Sequence, residues 1–443
     1  MALSGLDIYK KLAKTNCRDC GFPTCLAFAM QVAAKKIGLD KCPHLSEDVK
    51  NEFLESSAPP MKLVVIGTGD SKIEIGRETV MFRHEETFYH PTAIGVSLKD
   101  SLSEDDIKKK IEKINSLAFE RVGQKLKVEL IAIVNEGAAE RFEKAVRLCV
   151  ENSQLNLVLM SADAGTMEAA LKICADRRPL IYAADENNYE SFAGLAKKYN
   201  TPLAVLADDL VKLSEITKKI KGLGVDELVI GTPTKDVLAK INDLTYARRA
   251  ALKHSERSLG FPQMAVIENL DDYQKVLQAA GFVCKYANIL ILDTDKSEHI
   301  LPILTAAQNI YTDPQKPLAV KPAVYEIGQV SQESPVLVTT NFSLTYYTVE
   351  TEVQSSRVPS YIISVDCDGM SVLTAWAADK FTAESINAAL KQQVIEEKIN
   401  HKKIIIPGYV ANLRAKLEEE FGWKVIVGPR EASALPGFLK NLK

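Results

Sequence analysis

The strongest constraint on this chain is a run of four cysteines, Cys17, Cys20, Cys25 and Cys42. They lie in a stretch that opens Asn16-Cys-Arg-Asp-Cys-Gly-Phe-Pro-Thr-Cys and closes Leu39-Asp-Lys-Cys-Pro43, with the spacing C-x2-C-x4-C-x16-C. Four thiolates so close in sequence suit one tetrahedral metal or one iron–sulfur cluster. Three come from a tight loop that Gly21 and Pro23 allow to curl, and the fourth follows a helix-like segment, Leu26 to Ile37. Three readings are open. A disulfide knot belongs to secreted domains, and nothing here looks secreted. Structural zinc usually takes two paired C-x2-C arms, and this stretch has one. A 4Fe-4S cluster, with its corner irons far apart, accommodates uneven spacing and a late cysteine followed by proline, and is the favoured reading.

Residues 1–57 form the module around this run. Ser4 is placed to cap a short helix through Leu12. After Cys25 the residues Leu26, Ala29, Met30, Ala33 and Ile37 recur at helical spacing, which predicts an apolar face over the cluster. So small a segment buries too little apolar surface to fold by itself, so the metal centre is its main staple. Glu55-Ser-Ser-Ala-Pro-Pro60 reads as an exposed hinge.

At 443 residues the chain is too long for one core. A formal net charge of −3 gives no electrostatic case for nucleic acid or an anionic membrane. No run approaches about 18 uninterrupted apolar residues, so no bilayer span is expected. The start, Met-Ala-Leu-Ser-Gly-Leu-Asp, lacks the basic and apolar regions of a signal peptide, and a cytoplasmic, reducing location is expected. Cys149, Cys174, Cys284 and Cys367 then read as buried free thiols.

From Met61 the texture changes. Leu63–Ile66 is a short apolar run ending in Gly67-Thr-Gly69, which lacks the third glycine and the Gly-Lys-Ser/Thr of a nucleotide loop and reads as a turn. Strand-like runs follow at Ala93–Leu98, Leu130–Val134, Leu155–Met160, Leu180–Ala183, Leu203–Leu206, Leu228–Ile230, Met264–Ile267 and Ile289–Leu292. Amphipathic stretches such as Glu140–Val150 and Glu215–Ile220 separate them. Eight such βα units predict a (β/α)8 TIM-type barrel over residues 58–325, with Met61–Glu86 as a lead-in hairpin and an open doubly wound sheet as the other possibility. The strand ends carry Asn135-Glu136, Ser161-Ala-Asp163, Asp185-Glu186, Asp208-Asp209, Gly231-Thr232, Glu268-Asn269 and Asp293. This acidic and polar rim, without histidine, is either a chemical face or a set of helix caps and docking residues.

Four prolines and a polar stretch between Pro314 and Pro335 mark a second boundary. Residues 326–443 read as a doubly wound, flavodoxin-like domain with strands Val336–Thr339, Tyr361–Val365, Lys403–Ile406 and Lys424–Val427. Ligands of such sheets lie beyond the carboxyl ends of the strands. Those ends are Thr340-Asn341-Phe342, Asp368-Gly-Met-Ser-Val-Leu-Thr374, Pro407-Gly-Tyr409 and Gly428-Pro-Arg430. Glycine on three of the four lets backbone approach a large flat ligand.

The order of these parts resembles one family, the large (gamma) subunit of the corrinoid/iron–sulfur protein of the reductive acetyl-CoA pathway. The stretches that carry the resemblance are Leu6-Asp-Ile-Tyr-Lys10, Asn16 to Met30 and Ser364-Val-Asp-Cys-Asp-Gly-Met-Ser-Val-Leu-Thr374. It implies a 4Fe-4S cluster on Cys17, Cys20, Cys25 and Cys42 and a cobamide in the C-terminal domain. The cobamide contacts it implies fall on Thr340, Tyr346, Gly369, Met370, Ser371, Val372, Leu373, Thr374, Gly408, Gly428, Pro429, Ala432, Ala434 and Leu435. It also implies a smaller barrel subunit as partner in a heterodimer, a methyl-tetrahydrofolate methyltransferase, acetyl-CoA synthase/CO dehydrogenase and a low-potential electron donor. Co(I) would accept a methyl group through the separate methyltransferase and deliver it as methyl–Co(III), while the cluster re-reduces stray Co(II). Many cobalamin methyltransferases carry Asp-x-His-x-x-Gly, whose histidine binds cobalt. This chain has Asp366-Cys-Asp-Gly369, and its one histidine beyond residue 325 is His401, ahead of a strand. The cobamide is therefore expected base-off with no protein histidine, which eases reduction to Co(I). Thr374 is expected to approach the lower face without ligating. A barrel methyltransferase that binds the pterin itself and uses an internal cobamide is the alternative that the polar rim suggests.

Overall fold

A computed structural model describes residues 5–33, 36–45 and 59–442. The expected cap Ser4, part of the expected helix (34–35) and the hinge residues 55–58 lie outside them. The chain divides into two compact units: Met1–Met81, Tyr89–Ser116 and Val128–Ala307 make one, and Phe82–Phe88, Leu117–Lys127 and Gln308–Lys443 make the other.

In the cysteine module, helices Gly5–Lys11 and Cys25–Ala33 share a core of Ile8, Leu12, Cys25, Phe28, Ala29, Cys42 and Leu45. The expected apolar stripe holds in part: Ala29 is buried in this core and Ala33 and Ile37 pack against it. Leu26 and Met30 are 38% and 54% exposed, whereas Cys25, Phe28 and Ala29 are buried. Cys25 turns its sulfur inward, so the residues three and four positions on share its face.

An antiparallel hairpin, β1 (Leu63–Ile66) and β2 (Ile73–Gly76), follows. Its Gly67-Thr-Gly69 turn is a turn and no phosphate loop. Gly67 has φ +88°, and a Cβ there would fall 1.9 Å from Asn156 Oδ1. β3 (Ala93–Lys99) leads to a second small hairpin, β4 (Ala118–Arg121) and β5 (Gln124–Lys127). Then come β6 (Leu130–Val134), β7 (Asn156–Met160), β8 (Leu180–Ala184), β9 (Leu203–Leu206), β10 (Leu228–Gly231), β11 (Met264–Ile267) and β12 (Ile289–Leu292). Eight strands run parallel in the order β10-β9-β8-β7-β6-β3-β12-β11. The Ile230 N–H donates to Pro262 O at 2.8 Å, beside an isolated Ile230–Gln263 bridge, and nearly closes the ring. The fold is thus a barrel and not an open sheet. Val64, Ile66, Ile73 and Ile75 of the lead-in hairpin pack with Ala93, Leu130, Val158, Leu180, Ala204, Val229 and Ile289 near the strand starts, filling the amino end of the barrel.

The second unit holds β13 (Val324–Ile327), β14 (Val336–Thr340), β15 (Ser360–Val365), β16 (Lys403–Ile406) and β17 (Lys424–Val427), in the order β13-β15-β14-β16-β17 with β13 antiparallel. Val336, Val338 and Ile363 face one apolar core and Leu337 and Ile362 the other. Burial on both faces accounts for the nearly continuous apolar strands. The β4–β5 hairpin groups with this unit, held by Gln308, whose amide donates to Arg121 O and Gln124 Oε1.

Three of the four single cysteines are buried, and burial pushes the thiols of Cys149, Cys174 and Cys367 up to about 12. Cys284 departs from expectation. It ends helix Asp272–Cys284, whose buried residues are Ala279, Phe282 and Val283, and it is exposed.

A buried ion pair ties the segment after the lead-in hairpin to helix Val237–His254. Arg248 and Glu78 are 2% and 1% exposed and lie 3.4 Å apart. The guanidinium also donates to Val80 O at 2.7 Å and stacks 4.8 Å from the Tyr286 ring centre. Arg248→Ala, which strands the Glu78 carboxylate, is expected to cost about 3–5 kcal/mol. Chemical denaturation followed on the barrel transition checks this. Glu78→Gln, which keeps a hydrogen-bonding side chain there, should cost less.

Candidate metal centre and ligand cleft

The cysteine loop is built from its own backbone. Asn16 and Arg18 take positive φ, and the Gly21 N–H donates to Arg18 O at 2.8 Å. The Asn16 side chain accepts from the Cys25 N–H at 2.8 Å, while the Asn16 N–H donates to Cys25 Sγ at 3.4 Å. This couples the loop to the first turn of helix Cys25–Ala33. His44 Nε2 lies 2.7 Å from Asp19 Oδ2, joining the segment after Cys42 to the loop between Cys17 and Cys20. Burial raises the Cys42 thiol pKa, and the sulfurs of Cys20, Cys17 and Cys25 raise it further. Cys17, Cys20 and Cys25 are thus all close enough to Cys42 to act on it electrostatically. None is in a disulfide. Four free cysteines gathered beside an apolar core fit a metal centre, since a cation would offset the repulsion among their thiolates. Cys17 Sγ also stands within 4.8 Å of the ligand atoms of Asp19 and His44, which the sequence reading did not single out.

In the second unit the carboxyl ends of β14, β16 and β17 border a cleft of about 120 Å³. It brings together Val372, Gly428, Pro429, Ala432 and Leu435 of the residues singled out from sequence, and adds Thr339, Thr345, Val349, Tyr409 and Arg430. No histidine lines it. Thr340, Gly369, Met370, Ser371, Leu373, Thr374, Gly408 and Ala434 lie outside its lining. Tyr346 is 2% exposed, its ring packed on Tyr325 and Tyr347 and its hydroxyl donating to Glu350 Oε1.

Asn341 organises the neighbouring turn. Its side-chain oxygen accepts from the Cys367 N–H at 2.9 Å and the Gly369 N–H at 3.0 Å, and its amide donates to Asp366. Gly369 has φ +68°, which favours glycine. Ser371 and Thr374 hydroxyls meet at 2.9 Å at the start of helix Val372–Ala377. Gly408 has no room for a Cβ, which would fall 2.6 Å from Gly428 O, so two strand-end loops touch through backbone. Leu373, Trp376 and Tyr409 remain 46%, 40% and 43% exposed. The hydroxyls of Thr339, Thr340 and Ser364 are buried without a partner. Orphaned hydroxyls at the carboxyl edge, with a small apolar cleft that Thr339 lines, fit a ligand that brings polar groups to this edge and rests an apolar part against the cleft.

A module with four gathered cysteines, a βα barrel and a doubly wound domain with an open carboxyl edge define a multidomain, cofactor-binding α/β protein. Comparison with known proteins narrows the class. Residues 63–439 match the family described as CO dehydrogenase/acetyl-CoA synthase delta subunit, and residues 12–44 match an Fe-S cluster family. The chain is 47% identical over 441 residues to the corrinoid/iron–sulfur protein large subunit of Moorella thermoacetica, covering 99% of each chain. It is 36% identical to the acetyl-CoA decarbonylase/synthase complex subunit gamma of Methanothermobacter thermautotrophicus, covering 100% of this chain and 99% of the other. Among solved structures, a dihydropteroate synthase from Vibrio fischeri covers 51% of this chain and 95% of its own at TM-score 0.39 and 15% identity. The chain belongs to the corrinoid/iron–sulfur protein large-subunit family. No helix among the described residues is long and apolar enough to cross a membrane.

Asn341→Ala leaves two buried amides without their acceptor. It is expected to destabilise the second unit by about 1–3 kcal/mol. Hydrogen exchange should show the Cys367 and Gly369 amides losing protection while the cysteine module is unchanged.

Proposed function

We propose that this chain is a methyl-carrying corrinoid protein that works with a 4Fe-4S cluster. The observation that carries the reading is the pairing, in one chain, of four free cysteines gathered on one small core with a histidine-free cleft beside orphaned hydroxyls. Kinship over the full length with a protein named for a corrinoid and an iron–sulfur centre supports it. The three-part division into 1–57, 58–325 and 326–443 and a cytoplasmic location belong to the same reading.

Cys17, Cys20, Cys25 and Cys42 would hold the cluster. Thr340, Tyr346, Gly369 to Thr374, Gly408, Gly428, Pro429, Ala432, Ala434 and Leu435 would hold the cobamide. When bound, these groups supply a nucleophilic cobalt that takes a methyl group from methyl-tetrahydrofolate on a separate methyltransferase and gives it to acetyl-CoA synthase, and a one-electron reductant that restores oxidised cobalt.

The chain's own part is to hold, shield and withhold. Asn341 fixes the 366–369 turn, and Ser371 with Thr374 orders the helix start that follows. The buried hydroxyls of Thr339 and Thr340 offer hydrogen bonds to polar arms. No histidine lines the cleft that would hold the cobamide. His401 has both ring nitrogens engaged, with Ser334 O and with the Lys403 N–H, ahead of β16 and away from the carboxyl edge. That supports the reading of a base-off cobamide without a histidine ligand from this chain. The subunit names of relatives support assembly into a larger complex; a heterodimer with a smaller barrel subunit and docking to the methyltransferase, acetyl-CoA synthase/CO dehydrogenase and a low-potential electron donor belong to the same reading.

Protein purified without oxygen should contain about one cobalt and about four irons per chain. Cys20→Ala is expected to abolish reductive reactivation while freshly methylated protein still transfers its methyl group once. Equal loss of both activities, or cobalt bound by an imidazole of this chain in its paramagnetic resonance spectrum, overturns the reading.

A further inference from the structure

The barrel carries a cavity that this function does not use. The rim residues noted from sequence separate into two groups. Asp163 and Asp209 are helix caps, accepting from Thr166 N–H and from Val211 and Lys212 N–H. Ser161, Asp185, Thr232, Glu268 and Asn269 instead line a cavity of about 560 Å³ among the carboxyl ends of the barrel strands. That volume encloses a small organic molecule. Met160, Leu206, Met264, Val266 and Phe282 give it an apolar side.

One lining residue is incompletely served. Lys240, in the helix after β10, is 5% exposed. Its ammonium donates to Thr232 O at 2.7 Å. Thr232 Oγ1 stands 3.5 Å away, and that hydroxyl gives its own proton to Asp243 Oδ2 at 2.8 Å. Among the described residues Lys240 forms no ion pair. An ammonium has three donors and a charge, and burying it without a counter-ion costs several kcal/mol. A lysine serving as a strut between helix and loop needs neither the charge nor an open wall. Burial pushes its pKa down to about 8, and the Asp243 carboxylate, reached only through the Thr232 hydroxyl, offsets this in part. Asp185 and Glu268 line the same cavity, as does Lys235, and a monoanion meets half the repulsion from the two carboxylates that a dianion does.

We propose that the barrel mouth is a binding site for a small organic monocarboxylate, its carboxylate held by Lys240 and its apolar body laid against Met160, Leu206, Met264 and Phe282.

The test uses full-length protein purified without oxygen and carrying its cofactors. Benzoate, butanoate and inorganic phosphate are titrated calorimetrically into wild type, Lys240→Gln and Lys240→Arg. One equivalent of benzoate is expected to bind, more tightly than phosphate. Lys240→Gln should weaken benzoate by about ten- to a hundredfold, the range of a hydrogen bond to a charged group. Lys240→Arg, which keeps the charge, should recover part of the loss. In a parallel measurement, acetic anhydride labelling of wild type is followed by peptide mass spectrometry, and benzoate should slow acetylation at Lys240 and leave the exposed Lys108, outside the cavity lining, unchanged. Absence of binding by either carboxylate, unaltered binding in Lys240→Gln, or phosphate binding more tightly than benzoate overturns the proposal. Should Lys240→Gln fail to fold, unchanged acetylation of Lys240 in the presence of benzoate overturns it.

Discussion

Negative charge gathered in a small space is the constraint on which the front of this protein depends. Cys17, Cys20, Cys25 and Cys42 are gathered in a module whose apolar core is a handful of side chains. Left as thiols they are poor packing material, and ionised they repel. A cationic centre turns that repulsion into the main stabilising interaction of the module, as metals do in other small domains. The rest of the module serves the same end. The Asn16–Cys25 exchange of hydrogen bonds and the Asp19–His44 contact hold the loop in shape from two sides.

The second unit meets a related problem with neutral groups. Its sheet is buried on both faces, so its chemistry is confined to the carboxyl edge. There the chain leaves hydroxyls of Thr339, Thr340 and Ser364 dry and unpaired while spending Asn341 on the backbone of one turn. Unpaired buried hydroxyls lower stability unless a ligand completes them. Stability is given up where function requires an opening, and Gly408 and Gly428 keep the surrounding loops close through backbone contact.

Much of this was legible in the amino-acid order. Strands such as Leu130–Val134, Leu203–Leu206 and Lys403–Ile406 are short apolar runs, and the structure starts and ends them where the runs do. The β4–β5 hairpin escaped notice because Ala-Phe-Glu-Arg and Gln-Lys-Leu-Lys are charged and half exposed, with their support coming from Gln308, far along the chain. β13 was hidden by the prolines before it and by its edge position. At the cysteine helix, spacing alone gave the period and part of the face, and missed that Cys25 and Phe28, not Leu26 and Met30, complete it. The Arg248–Glu78 pair and Lys240 could not be found by pattern, since a buried charge looks in sequence like any surface charge. The resemblance suggested ligand contacts that spacing could not, and Tyr346 shows the difference. Nothing around it in sequence marks it, and its side chain is enclosed by other tyrosines.

The lead-in hairpin has a further consequence. With Val64, Ile66, Ile73 and Ile75 stoppering the amino end, the barrel is a cup with a single mouth. Traffic through such a vessel is two-way at one door: a guest can leave only by the path it entered, and no stream of solvent can flush it from beneath. Any body that settled across the rim would therefore act as a lid on whatever the cup contained.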